Sequence, residues 1–321
     1  MNKKIFSIAP SFNCKLSCEG CYLTTDVTKD MRNATKGEAY YLRAIEVAAE
    51  NGYTDFAITW NPFPGAYEIT KKYVLYAKKH GMSTSVTTVL TTIAEAEDDF
   101  FMNLDVLTIS VDDMRFNSIG LFDTEKTGYF NFLASWMWEN RLSNQNEENP
   151  QSTGREFSEL FPHLVINYNL LWTPAVFEWL YSDTANFKRA LDNITYPDTV
   201  QHLIYKPLSI YESEAWFWTN YQKVFTEYPW VNIAGNGSKF IGDIALNNLL
   251  GINNCPGQDF QMVDVDPMGY VRRCPENPIS YDGTNIQALR QYLQQGTGCQ
   301  NEKCNCITSS ICSKSHTTTS S

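Results

Sequence analysis

IFSIAPSFNCKLSCEGCY, residues 5–22, joins an apolar run to three closely spaced cysteines. Ile5 to Ala9 predicts a short β-strand that runs directly into a loop holding Cys14, Cys18 and Cys21. Three thiolates at i, i+4 and i+7 can ligate three irons of a cubane and leave the fourth iron open. On the residues alone two other readings stay open: three unrelated buried cysteines, or part of a zinc site. Zinc ordinarily takes four ligands with a matching second pair. The strand before the loop and the aromatic Tyr22 directly after Cys21 favour the cluster.

Working outward from this loop, Thr35-Lys-Gly-Glu38 has the form of a capping box and predicts a helix that ends before Gly52. The β-loop-α pattern then recurs. Strands are expected at Asp55–Trp60, Ser83–Val89, Val106–Val111, Leu164–Leu170 and Val200–Tyr205. Helices are expected at Ala66–His80, closed by Gly81, and at Ile93–Phe101, Phe130–Asn140, Pro174–Ile194 and Ser213–Thr226. Such alternation implies a parallel sheet, and six βα units are too few for a closed eight-stranded barrel. The expected fold is α/β, a partial (β/α)6 TIM-like barrel over residues 1–235. The polar stretch 142–156, LSNQNEENPQSTGRE, reads as an exposed insertion within it.

After about residue 235 the βα rhythm stops. QMVDVDPMGYVRRC predicts a hairpin with Asp-Pro-Met-Gly as its turn. A small Cys-rich domain is expected over residues 236–316, followed by a polar tail, 317–321, expected to be disordered.

The chain has 321 residues, 43% of them hydrophobic and 14% aromatic, enough to bury the cores of one large and one small unit. No stretch reaches the roughly 18 apolar residues a membrane span needs, and MNKKIFSIAPSFNC lacks the apolar core of a secretory signal. The expected setting is the cytoplasm, with no membrane partner. There, reduced thiols make metal ligation a better default than a disulfide framework for the nine cysteines. Asp and Glu number 36 against 25 Lys and Arg, a balance that disfavours a nucleic-acid substrate.

FNCKLSCEGCY resembles the CxxxCxxC-aromatic signature of the radical S-adenosylmethionine (SAM) superfamily, and the six βα units match that superfamily's partial barrel. The resemblance covers nearly the whole chain. It implies that Cys14, Cys18 and Cys21 hold a SAM-cleaving 4Fe-4S cluster whose open iron is chelated by SAM, with reducing electrons from a donor such as flavodoxin or ferredoxin. Cleavage would release a 5'-deoxyadenosyl radical that abstracts a substrate hydrogen atom.

Cys255, Gly269 and Cys274 are similar to the C-x(9-15)-G-x4-C element that opens SPASM and twitch auxiliary-cluster domains, with Cys299, Cys304, Cys306 and Cys312 following. The close spacing, C-x4-C-x-C-x5-C, departs from the full SPASM pattern, and His316 stands where a last cysteine would. Six C-terminal cysteines are two short of the eight that two fully Cys-ligated cubanes need, so one auxiliary 4Fe-4S cluster is expected, with a second left open. A closed zinc site built on Cys255 and Cys274 stays open as the alternative, as does a spare thiol serving as hydrogen-atom donor.

For SAM itself, the resemblance points to Tyr22 beside the cluster and to three strand ends. Where relatives carry a GGE-like motif this chain reads Ile58-Thr-Trp-Asn-Pro-Phe-Pro-Gly65, leaving Asn61 as the oxygen donor. Leu107 to Asp113 resembles the family's fourth strand end, with Ser110 and Asp112 on one side by the period of two. Asn167, sharing a face with Asn169, resembles the Asn that approaches the ribose. Each of these polar residues has an ordinary structural reading as a cap or a backbone partner.

The implied activity is modification of a ribosomally made peptide by crosslinking, oxidation or epimerisation. The alternatives are dehydrogenation of a small aminocyclitol or sugar alcohol, and a metal-binding interaction protein that does not cleave SAM. With the first strand expected at about Ile5, no separate leader-binding winged-helix domain is expected, which keeps the small-molecule reading in play.

Overall fold

The computed structural model describes residues 4–11, 14, 36–59, 66–89, 96–110, 161–172, 200–207, 231–233, 262–273 and 280–295. Its central feature is one sheet. The strands are β1 (Ile5–Ile8), β2 (Asp55–Thr59), β3 (Ser83–Val89), β4 (Val106–Ser110), β5 (Val165–Trp172), β6 (Val200–Pro207), β7 (Val231–Ile233), β8 (Met262–Val265), β9 (Tyr270–Arg272) and β10 (Ser280–Asp282). Four helices accompany them among the described residues: α1 (Glu38–Glu50), α2 (Ala66–Lys79), α3 (Asp98–Met102) and α4 (Ile286–Gln295).

The strand order is β10-β9-β8-β1-β2-β3-β4-β5-β6-β7. From β8 through β7 every neighbour is parallel, whereas β9 and β10 run antiparallel. The outer strands are β10 and β7, so the sheet is open, as a partial barrel requires.

The period of two divides the sheet into unlike faces. Phe6, Ile8, Phe56, Ile58, Val86 and Leu107 are all buried on the face that packs against the helices. Helix α1 answers with Tyr41, Ala44, Ile45, Val47 and Ala48, and α2 with Tyr67, Thr70, Tyr73, Val74 and Ala77, each set at helical spacing. Full burial of side chains such as Phe6 and Phe56 is worth about 2 kcal/mol each in removed apolar surface. The opposite face is small and polar: Ser7, Ala57, Ser85, Thr87 and Thr108 lie half-buried along it.

Most predicted elements are present within a residue or two, with informative differences. Helix α1 starts at Glu38 with Gly37 as its N-cap and no side-chain cap, so the expected capping box does not open it; Thr35 lies outside the described residues. The cause is tertiary, because the Lys36 N–H is engaged by the distant Pro267 carbonyl at 2.9 Å before the helix begins. Helix α3 begins at Asp98, not Ile93. Gly81 closes α2 as expected, at φ 75°, a conformation that costs an L side chain free energy. The expected helices at 130–140, 174–194 and 213–226 and the insertion at 142–156 lie outside the described residues.

Four strands add to the predicted six: β8 and β9 are the two arms of the predicted hairpin, and β7 and β10 were not predicted. β7 is too short, at three residues, to stand out as a pattern. β8 belongs to the predicted hairpin, whose Asp266–Gly269 turn is present, but it also pairs with β1 in parallel, from Ile5↔Met262 to Ile8↔Val265. The C-terminal segment therefore continues the barrel sheet. At the opposite, N-terminal edge, Lys78 Nζ bonds Asp105 at 2.6 Å and the Thr84 N–H donates to the same carboxylate at 2.7 Å. Burial pushes the Asp105 carboxyl up, but these donors outweigh it and leave its pKa below the ordinary value.

Candidate active site

Parallel strands bring all their C-terminal ends to one edge, and that edge is where loop residues can converge. From β1 the chain leaves through Ala9, Pro10 and Ser11 towards Cys14, which is half-buried. The stretch after β2 leads to Asn61, and the stretch after β4 to Asp112. Ser110 closes β4 and is only 3% exposed. Register sets Val89 on one side of Ser110 and Asn169 on the other, while Asn167 stands beside Thr108. Pairing thus brings Ser110 next to Asn169 rather than Asn167, which occupies the preceding row of the same register.

The other sequence-derived candidates, Cys18, Cys21, Tyr22, Asn61, Asp112, Cys255, Cys274, Cys299, Cys304, Cys306 and Cys312, lie outside the described residues. Among the described residues no three His, Cys, Asp or Glu side chains converge as a metal site. The donor chemistry nevertheless suits an iron-sulfur cluster. Cys14 offers a soft thiol six residues past a strand end, in the same loop as two further thiols, and the strand delivers that loop to the C-terminal edge.

The structure adds a feature the sequence reading missed. Asp264 pairs with Ser7 on one side and Arg272 on the other, and Ser7 pairs in turn with Ala57. Val263 and Val265, the neighbours of Asp264, are fully buried beside Phe6 and Ile8 in register, so Asp264 belongs to the polar face. Burial pushes its carboxyl up to about 6, partly opposed by a hydrogen bond with Ser7 and by the charge of Arg272, while Asp266 adds to the rise. Arg272 Nη2 lies 3.4 Å from Asp266 Oδ2. The Asp266 Oδ1 accepts the Met268 and Tyr270 N–H groups at 2.9 and 3.0 Å, which fixes the hairpin turn. A carboxylate inside the short apolar run MVDV was the available signal; the hairpin reading gave a role to the Asp266–Gly269 turn and none to Asp264.

No family model matches the chain, and no curated protein matches it. Solved structures do. The polyhistidine-tagged form of anSMEcpe with bound AdoMet, a radical SAM enzyme, matches over 91% of this chain and 77% of that one at 14% identity and a TM-score of 0.54. The chain shares that protein's fold.

Looser likenesses accompany it. BtrN in complex with AdoMet and 2-DOIA matches 92% of this chain and 84% of its own at 8% identity and a TM-score of 0.39. The HMG-CoA lyase from Brucella melitensis matches 98% of each chain at 8% identity and a TM-score of 0.46. Both are too distant to bear on individual residues. The shared fold agrees with the open, mostly parallel sheet described above. Among the described residues no helix is long and apolar enough to cross a membrane.

Proposed function

We propose that the chain is a radical SAM enzyme that cleaves SAM reductively and abstracts a hydrogen atom from a ribosomally made peptide. The observation that carries this is the position of the cysteine loop: three thiols at CxxxCxxC spacing follow β1 at the edge where a radical SAM fold gathers its loops. Cys14, Cys18 and Cys21 would hold a 4Fe-4S cluster, which supplies the electron that breaks a C–S bond of SAM and yields the 5'-deoxyadenosyl radical.

The protein's own part is to orient and enclose. Ser110 and Asn167 stand on adjacent strands in the half of the sheet away from β8, and with Asn61, Asp112 and Tyr22 they are the candidate contacts to SAM. The half-buried face of Ser7, Ala57, Ser85, Thr87 and Thr108 presents small, mostly polar side chains. Six C-terminal cysteines support one auxiliary cluster, which would accept the electron left on a substrate radical in a net two-electron oxidation. The excess of 36 acidic over 25 basic residues suits a cationic substrate. The same excess favours, as a second reading, an amino-bearing small molecule that is dehydrogenated.

The test is anaerobic reconstitution with iron and sulfide, reduction with dithionite and addition of SAM. 5'-Deoxyadenosine and methionine are expected in equal amounts. Bound zinc, no cluster and intact SAM would leave a metal-stabilised interaction protein as the better description.

A further inference from the structure

Residues 10–35 carry the three N-terminal cysteines, and the residues that flank them, Ala9 and Lys36, are both fastened to the same end of the C-terminal hairpin. At the entry, the Ala9 N–H donates to the Val265 carbonyl at 2.9 Å; at the exit, the Lys36 N–H donates to the Pro267 carbonyl at 2.9 Å. The two acceptors are two positions apart in sequence. Two backbone bonds to so short a piece of chain fix the separation of the loop ends as firmly as a strand pairing would.

The turn is itself held. Gly269 has φ 84°, and a Cβ there would come within 2.9 Å of Lys36 Cε, 3.1 Å of Thr284 Cα and 3.2 Å of Tyr40 Oη. One of these contacts is backbone, and Lys36 belongs to the loop exit. Tyr40 Oη donates to the Gly283 carbonyl at 2.6 Å, and the Lys36 ammonium lies 5.6 Å from the centre of the Tyr40 ring. Further along α1, Glu50 pairs with Arg290 of α4 at 2.7 Å. Hairpin, α4 and α1 thus grip one another, with the loop exit between them.

We infer that the Val265–Gly269 turn is a positioning device for the cysteine loop, so that displacement of the C-terminal segment is transmitted to the thiols that would hold the SAM-cleaving cluster. The inference rests on the proposed function for what the loop carries, but not for the fastening. Gly269 lies five residues before Cys274, so a change at that candidate auxiliary ligand has a short route to the loop. Gly269 and Tyr40 act as positioning residues, through the loop ends.

The experiment compares reconstituted wild type with Gly269→Ala, Tyr40→Phe and Val74→Ala, the last being a buried site in α2 away from the loop. Two quantities are read: hydrogen exchange of peptides within residues 10–35, and the electron paramagnetic resonance (EPR) spectrum of the dithionite-reduced protein at equal iron content. For Gly269→Ala, loop exchange about tenfold faster is expected with strand β3 unchanged, together with an altered spectrum. Tyr40→Phe is expected to shift both in the same direction by less, and it carries the test alone if Gly269→Ala does not fold. Val74→Ala is expected to lower thermal stability without either change. Wild-type exchange and spectrum in Gly269→Ala and Tyr40→Phe, or the same changes in Val74→Ala, would overturn the inference. Failure of wild type to cleave SAM would instead sink the functional reading, and the exchange arm would still decide the fastening.

Discussion

Replacement of Cys14, Cys18 and Cys21 together by Ala is expected to lower bound iron by about four per chain and to abolish 5'-deoxyadenosine formation, while the far-ultraviolet circular dichroism stays that of the wild type. The loss should be complete, because no other cysteine precedes Cys255 in the sequence. The fold should survive, because the buried face of β1 is built from Phe6 and Ile8, upstream of the loop. Iron unchanged in the triple variant would mean that all bound metal sits on the C-terminal cysteines. Collapse of the circular dichroism would mean that the loop is a structural staple.

Asp264→Asn should make the protein more stable at neutral pH and no different in acid. The folded carboxyl is pushed up to about 6 from an ordinary 3.8, so between those values the folded chain binds more protons than the unfolded one. Wild-type stability therefore falls as pH rises from about 4 to about 6, and above that range the full penalty of an ionised buried carboxylate is present. Asn cannot ionise, yet it keeps an oxygen for Ser7. The difference in unfolding free energy between variant and wild type is expected to grow by about 2 kcal/mol from about pH 4 to about pH 7. Parallel urea-denaturation curves across that range would show that Arg272 neutralises the charge instead. A polar residue tolerated at such cost on the inner face is one to test for substrate contact.

The barrel half of the fold was legible because its strands alternate with helices at helical spacing and its turns are marked: Gly81 ends α2, and Asp266–Gly269 turns the hairpin. The parallel pairing of β8 with β1 was not legible. MVDV reads as one arm of a local hairpin, and nothing in a hairpin's pattern says that its outer edge will join a strand more than 250 residues earlier. β7 was missed for want of length. The capping box at Thr35 was a sound local signal overridden by a tertiary bond, Lys36 to Pro267. The CxxxCxxC spacing is local and so stands out in the sequence, but of its three cysteines only Cys14 lies among the described residues. The adjacency of Ser110 with Asn169 and of Asp264 with Ser7 depends on strand register, which emerges only once the sheet is assembled.

The central claim is a cluster with one iron open to SAM, held by the loop after β1. Its most direct test is the EPR spectrum of the reduced, reconstituted wild-type protein before and after addition of SAM. A 4Fe-4S signal is expected that changes on SAM addition and that is missing, changed component included, from the Cys14, Cys18 and Cys21 to Ala variant. A signal indifferent to SAM, or one that persists unchanged in that variant, would contradict it.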